Sequence, residues 1–272
     1  MSKTVLVTGA SSGLGLHTAQ ALRDAGWTVI AGARSFQKGE KDGMHCLPLD
    51  VTDDQSVLDF VAEARKISPR IDALVQCAGI LVLGSCEETS QEEYQRVMNT
   101  NFMGMVRMNH AVLPVMRAQK EGRIVMFSSI NGLLGVPFQS AYTAAKHAVE
   151  GYAECLMMET HGMGIQVCLV EPGDHRSGSS AYRAHAKAAN DASPYQDRYV
   201  STCKVIHRDE TGGSDPDRLG RKVAKALARK HLPFRLRVAK PDQHLAVWLH
   251  DVLLPGLNGK ILRDYYYGKS DR

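Results

Sequence analysis

Across its 272 residues the chain has no CxxC pair, no low-complexity tract, no repeat of fixed period and no Pro/Gly/Ser-rich linker. The six cysteines, at positions 46, 77, 86, 155, 168 and 203, lack metal-type spacing, which argues against a zinc site. Reduced thiols packed as small hydrophobes are the simplest account. Without a linker or repeat, residues 1–272 read as a single domain with room for a generous core. A membrane-spanning run is also missing, since the most apolar late stretch, 245–257, is broken by His250, Asp251 and Pro255. The opening MSKTVLVTG enters a strand pattern at once, which leaves no room for a signal peptide. These absences predict a cytoplasmic protein with no transmembrane segment. Charge of one sign is scarce too: 33 Lys and Arg are interspersed with 29 Asp and Glu for a net +4, which does not point to nucleic acid. The one basic stretch, 218–240, carries Leu219, Val223, Ala226 and Leu227 at helical spacing and reads as the solvated face of an amphipathic helix.

What is present is a series of short apolar runs rich in Val, Ile and Leu, at 4–7, 28–33, 44–49, 73–76, 123–127 and 166–170, most of them separated by helical patterns. Continuous apolar strands alternating with helices predict an α/β fold, a Rossmann-type doubly wound parallel sheet covered on both faces. Right-handed crossovers then place ligands outside the C-terminal ends of the strands. After Pro172 the pattern changes. Residues 174–215 carry no clear strand and a short helix at about 180–192, an excursion expected to be a substrate lid. Regular patterning returns with the basic helix, a strand at 234–238 and a helical tail at about 241–262.

Two constellations carry chemistry. The first strand runs into Thr8-Gly9-Ala10-Ser11-Ser12-Gly13-Leu14-Gly15 and then a helix. Glycines there let the backbone turn and approach a pyrophosphate, whose charge meets the unpaired N–H groups of the helix start. At the end of the second strand, where a carboxylate selects NAD, the chain reads Ala33-Arg34-Ser35. A guanidinium suits a 2′-phosphate, so NADP(H) is the expected cofactor. The second constellation is Ser129, Tyr142 and Lys146. Spacing of i, i+4 puts Tyr142 and Lys146 on one helix face. A free tyrosine, with a pKa of about 10, is a poor base near neutrality, and an adjacent ammonium together with an oxidised nicotinamide is expected to lower that value. Tyr142 then serves as general acid/base, and Ser129 hydrogen-bonds the reacting oxygen.

With these residues in order, the chain resembles the short-chain dehydrogenase/reductase family from about residue 3 to residue 177. The resemblance implies that Leu49-Asp50-Val51 contacts adenine, that Ala78-Gly79 lets the ribose approach, and that Asn101 holds a proton-relay water. It further implies that Lys146 binds the nicotinamide ribose, and that Pro172-Gly173 with Ser177 meets the nicotinamide amide. One departure stands out: Gln76-Cys77 replaces an asparagine pair that braces the sheet, which puts local geometry in question more than chemistry. The stretches GLLGVPF at 132–138, KHAVEGYAECL and LLPGLNGKIL are similar to the branch containing 17β-hydroxysteroid dehydrogenase type 1 and the retinol dehydrogenases. That branch implies a bulky apolar alcohol or ketone such as a steroid or retinoid, and a homodimer or homotetramer.

Leu81, Val82, Leu83, Leu133, Leu134, Val136 and Phe138 follow strand ends on the expected substrate side, with Met157 and Met158 farther along the helix. Core packing is the competing account, and the better one for the two methionines. Arg176, Arg183 and Lys187 stand open as partners for an anionic substrate group, and His175 is unassigned. Two other readings of function keep the fold: a dehydratase or epimerase with tightly held cofactor, and a non-enzymatic NADP-sensing regulator. The tail around Trp248 fits a peripheral membrane contact, a pocket cap or a subunit contact.

Overall fold

A computed structural model describes residues 2–178, 183–253 and 255–267. Its centre is an eight-stranded sheet, and the apolar runs of the sequence form its middle. In chain order the strands are β1 (Thr4–Thr8), β2 (Thr28–Ala33), β3 (Gly39–Lys41), β4 (Met44–Pro48), β5 (Ala73–Gln76), β6 (Val82–Leu83), β7 (Gly122–Phe127), β8 (Ile165–Pro172), β9 (Ala184–His185) and β10 (Arg235–Val238). The large sheet has the order β10-β8-β7-β5-β1-β2-β4-β3, while β6 and β9 pair separately. All its pairings are parallel except β3 with β4. The order reverses between β1, which runs to β2, and β5, which lies on β1's other side, and this reversal opens a crevice at the strand ends.

Residues that alternate along each strand feed two cores. Leu6, Ile30, Leu74, Ile124 and Leu169 face one side, packed under α2 (Asp54–Ile67), α4 (Gly104–Gln119) and α5 (Ser140–Glu159). Val5, Val7, Val29, Val75, Val125 and Val170 face the other, under α1 (Gly13–Asp24) and α7 (Pro216–Leu227). The basic helix is therefore amphipathic as expected: Leu219, Val223 and Leu227 of α7 are buried, and its cations lie on the opposite side. Gly220 lets α7 lie directly on the backbone of α1, since a Cβ there would come 2.5 Å from the His17 carbonyl oxygen. All six cysteines are free.

The segment after β8 departs from the expected helix at 180–192. Residues 180–182 lie outside the described residues. Beyond them the chain forms β9 and an irregular stretch, and the helix, α6, spans Gln196–Thr211. Its buried side is narrow, with Tyr199, Thr202 and Ile206 turned inward. The tail is helical in two pieces, α8 (Pro241–Val252) and α9 (Pro255–Tyr267). The remaining helix, α3 (Gln91–Met98), starts with a capping box between Ser90 and Glu93 and runs through a π-helical turn, 99–103, into α4.

Candidate active site

The β1–α1 turn is built by close approach. Gly9 and Gly13 have φ of +67° and +55°, conformations that glycine adopts without cost. A Cβ on Gly9 would lie 2.7 Å from the Ala78 backbone, and one on Gly15 would overlap the Gly9 carbonyl. The turn thus nests against the end of β5, and the start of α1 faces the crevice. Ser12 stands at the helix N-cap without bonding the helix through its side chain. The first-turn N–H groups are left facing outward.

One cavity of about 940 Å³ runs from this turn across the strand ends. Gly9, Ser11, Ser12, Gly13, Leu14, Gly15, Arg34, Asp50, Val51, Ala78 and Gly79 line one end, and Pro172, Gly173 and Ser177 line it beyond. Ser129, Tyr142 and Lys146 lie on the same wall. Ser35 and Asn101 do not line it. Ser35 is exposed past the strand end, and Asn101 is wholly buried behind the wall. Asp50 accepts hydrogen bonds from the Thr52 N–H at 2.9 Å and its hydroxyl at 2.7 Å. Although burial works against it, these bonds and the nearby Arg34 and Arg107 charges hold its carboxyl below the ordinary value. The glycine cradle, exposed guanidinium and half-buried carboxylate fit a dinucleotide along this end of the cavity.

Asn101 sits in the π-helical turn and grips the chain after β5, accepting from the Ile80 N–H and donating to the Ile80 carbonyl, each at 2.8 Å. π-turns often mark functional positions. Ser129 lies two residues beyond β7, and its Oγ accepts the Asn131 N–H at 3.2 Å, capping a short 3₁₀ turn at Ile130–Gly132. That leaves its O–H to donate, and a hydrogen bond from Ser129 is one of the influences on Tyr142.

Burial pushes Tyr142 up to about 12, against the pull of Ser129 and Arg183, with Glu210 adding to the rise. The lowering expected from Lys146 is absent in the chain by itself. The Lys146 ammonium is tied instead to the Phe127 carbonyl oxygen at 2.6 Å and stands 5.4 Å from the centre of the Tyr142 ring. Burial brings Lys146 down to about 8, with Cys77 and Glu150 working the other way. The pair is poised with Tyr142 protonated near neutrality.

Of the apolar candidates, Leu81, Val82, Leu134 and Val136 line the cavity. Leu83 and Phe138 are buried beside it, where Phe138 packs edge-on against Tyr199 with ring centroids 5.3 Å apart. Met157 and Met158 are exposed on α5, away from the cavity. The far wall is formed by Ile206, Leu245, Leu249, Ile261 and Tyr266 from α6, α8 and α9; the sequence offers the tail as a pocket cap only as one of three alternatives, because nothing in the motifs says how it folds back. Polar groups interrupt that wall. Asp174, Asp209, Glu210 and Lys240 line it, and Arg183 pairs with Glu210 rather than standing open for a ligand. Asp174 is raised to about 6 by burial and by Asp209 and Glu210. His175 lines the cavity as well, with Nδ1 bonded to the Gly173 carbonyl at 2.8 Å. Arg176 and Lys187 are exposed and lie outside the lining.

The Gln76-Cys77 departure has a structural answer. Gln76 Nε2 donates to Asn109 Oδ1 at 2.8 Å, and Asn109 Nδ2 in turn donates to the Tyr152 hydroxyl at 3.2 Å, bracing β5 to α4 and α5.

Comparisons with known proteins bear on the family and the fold. The short chain dehydrogenase family model matches residues 3–188. A 3-ketodihydrosphingosine reductase of Bacteroides thetaiotaomicron is 39% identical over 255 residues, which cover 92% of this chain and 94% of that protein. A crystal structure of a short-chain dehydrogenase from Streptomyces avermitilis superposes with a TM-score of 0.81 at 30% identity, covering 97% of this chain and 96% of its own. A variant actinorhodin polyketide ketoreductase crystallised with NADPH superposes at 0.72 with 27% identity, covering 88% of this chain and 96% of its own. No helix among the described residues is long and apolar enough to cross a membrane.

Proposed function

The chain belongs to the short-chain dehydrogenase family, and from that premise we propose that it is an NADP(H)-dependent oxidoreductase interconverting a bulky apolar ketone and its alcohol. The observation that carries the reading is the shared wall: Ser129, Tyr142 and Lys146 face the same cavity as the glycine turn and Arg34. When bound, the nicotinamide supplies hydride for reduction. Tyr142, held protonated by burial, gives its proton to the carbonyl oxygen, and Ser129 donates a hydrogen bond to the same oxygen as charge develops on it. Lys146, with one N–H on Phe127, keeps others for the nicotinamide ribose and for returning a proton toward Tyr142. Asn101 is proposed to hold the water that feeds that return. The neutral tyrosine is the form that can donate a proton in reduction.

Arg34 just after β2, with no acidic residue among its sequence neighbours Gly32-Ala33 and Ser35-Phe36, supports NADP(H) over NAD(H). The cavity supports a large substrate with an apolar body, a steroid or retinoid or, by its likeness to the named reductase, a long-chain keto lipid. Arg183, Ile206, Asp209 and Glu210 from the described part of the segment after β8 line the substrate end together with the tail, and this supports reading that part as a lid. Carboxylates on that wall, Asp174, Asp209 and Glu210, suit a substrate with hydrogen-bond donors near its carbonyl. The test is NADPH oxidation by purified protein across steroid, retinoid and long-chain keto-lipid substrates, with NADH in parallel and Tyr142→Phe as control. Turnover lost in the variant supports the reading. Silence with every substrate despite tight NADPH binding would instead favour the sensing role.

A further inference from the structure

Beneath Lys146, on the side away from the cavity, lies a chain of alternating charges that the proposed mechanism does not use. Tyr142, Lys146 and Glu150 succeed one another at i, i+4 and i+8 along one face of α5. Glu150 is buried, and its carboxylate pairs with the Arg235 guanidinium of β10. Arg235 reaches Oε1 of Glu171 in β8 at 2.8 Å, and Arg237 Nε meets the other oxygen of Glu171 at 2.7 Å. Glu171 is entirely buried, and the outer arm of Arg235 holds the half-exposed Glu154 at 2.6 Å. The order is Lys146, Glu150, Arg235, Glu171, Arg237: plus, minus, plus, minus, plus, with direct ion pairs from Glu150 to Arg237 and Lys146 one helical turn from Glu150 without a direct pair to it. Gly132 leaves room for it, because a Cβ there would come 3.1 Å from both Glu150 Cγ and the Lys146 carbonyl.

Such an array is a poor means of gaining stability, because buried charges are costly to desolvate. It sits directly behind a lysine whose ammonium lies in a buried site. The groups around Lys146 are Tyr142 and Glu150 on its own helix, Cys77 at the end of β5, and the Phe127 carbonyl with Ser128 and Ser129 at the end of β7. Cys77 offers no charge near neutrality, because burial drives its thiol far up. Glu150 remains as the carboxylate acting on Lys146. Burial raises Glu150 in turn and the Glu171 carboxylate adds to that rise, while the Ser128 hydroxyl and the Arg235 guanidinium oppose it.

We propose that Glu150 is a positioning residue that keeps the Lys146 ammonium charged in its buried site, and that Arg235, anchored on Glu171, keeps Glu150 ionised for that purpose. This rests on the reading of Lys146 as the partner of Tyr142. Its test does not depend on turnover. Protein labelled with ¹³C at the lysine ε-carbons is titrated by NMR, with the Lys146 resonance identified by its loss in Lys146→Arg. Glu150→Gln should lower the Lys146 midpoint by about one pH unit, the scale of a nearby opposite charge. Glu150→Asp should restore part of the shift, and Glu154→Gln on the outer arm should leave the midpoint in place. Folding of each variant is checked by circular dichroism. A Glu150→Gln protein that melts earlier but titrates Lys146 at the wild-type midpoint would reduce the array to a clamp and overturn the proposal. If the reductase assay stays silent while the midpoint moves, the electrostatic role stands and the catalytic reading fails, so the two failures are distinguishable.

Discussion

The Lys146 ammonium donates a 2.6 Å hydrogen bond to the carbonyl oxygen of Phe127, the last residue of β7, and so joins α5 to the sheet below the cavity floor. This bond does not offset the burial that brings Lys146 down to about 8. A lysine whose folded-state pKa lies below its unfolded value of about 10.4 destabilises the fold wherever both states carry the proton. Here the penalty is full below about pH 8. It shrinks as pH rises toward the unfolded value, because the folded state then releases its proton first. Lys146→Met should therefore be more stable than the parent near neutrality by about 2 kcal/mol, after allowing for the lost hydrogen bond. Urea unfolding at about pH 7 and about pH 10 reads the gain and its decline. A variant less stable at both values would show that packing around the lysine, not its charge, dominates.

Tyr142→Phe removes the proposed proton donor and little else, since Lys146 contacts its ring and the phenol makes no other backbone bond among the described residues. Ketone reduction should fall by at least about a hundredfold, the lower range for loss of a general acid. NADPH affinity, measured by cofactor fluorescence, should stay close to that of the parent. A variant that keeps substantial turnover would remove Tyr142 from the reaction.

Arg34 lines the cofactor end of the cavity at the point where β2 stops, and its side chain is exposed for a ligand. If it grips a 2′-phosphate, Arg34→Ala should weaken NADPH binding by about tenfold or more, the worth of a charge-assisted hydrogen bond. NADH binding should hardly change, so the ratio of the two affinities is the quantity to measure. An unchanged ratio would leave the cofactor preference without its support.

The parallel sheet is legible in the sequence because its inner strands are rich in apolar residues, and the turn Gly9 to Gly15 is legible because only glycine permits that approach. The strands β3, β6 and β9 are not legible. They are two or three residues long, too short for a periodic pattern, and all of β3 is exposed. The helix after Pro172 is misplaced for a related reason. The small-residue stretch near 180–192 has helical composition, whereas α6 buries only Tyr199, Thr202 and Ile206 and owes its place to contacts with β6 and α9. Ser129, Tyr142 and Lys146 announce themselves through spacing on one helix and one strand end. Glu150 stands at the next step of that spacing, but its partner Arg235, and Glu171 that shares that guanidinium, are distant in sequence, and only the sheet order brings β8 and β10 together.

Gln76 shows how a departure from pattern is accommodated, and it can be tested by a double-mutant cycle. Its amide nitrogen has Asn109 Oδ1 as partner at 2.8 Å, while its own Oε1 is buried without one. Replacing Asn109 with Leu would strip the amide of its acceptor and leave the Tyr152 hydroxyl without the Asn109 donor, in a site where both Gln76 and Asn109 are essentially inaccessible. An unsatisfied buried polar group costs about 1–3 kcal/mol, and two are affected, so Asn109→Leu should lose about 3 kcal/mol. Gln76→Leu should cost less, because it also removes the unpartnered Oε1. The double variant should be more stable than the sum of the single losses predicts, since replacing both partners by apolar groups leaves no orphaned amide. Thermal melts of the four proteins measure the coupling. Strict additivity would mean that the two side chains act independently and that β5 is braced by the sheet alone.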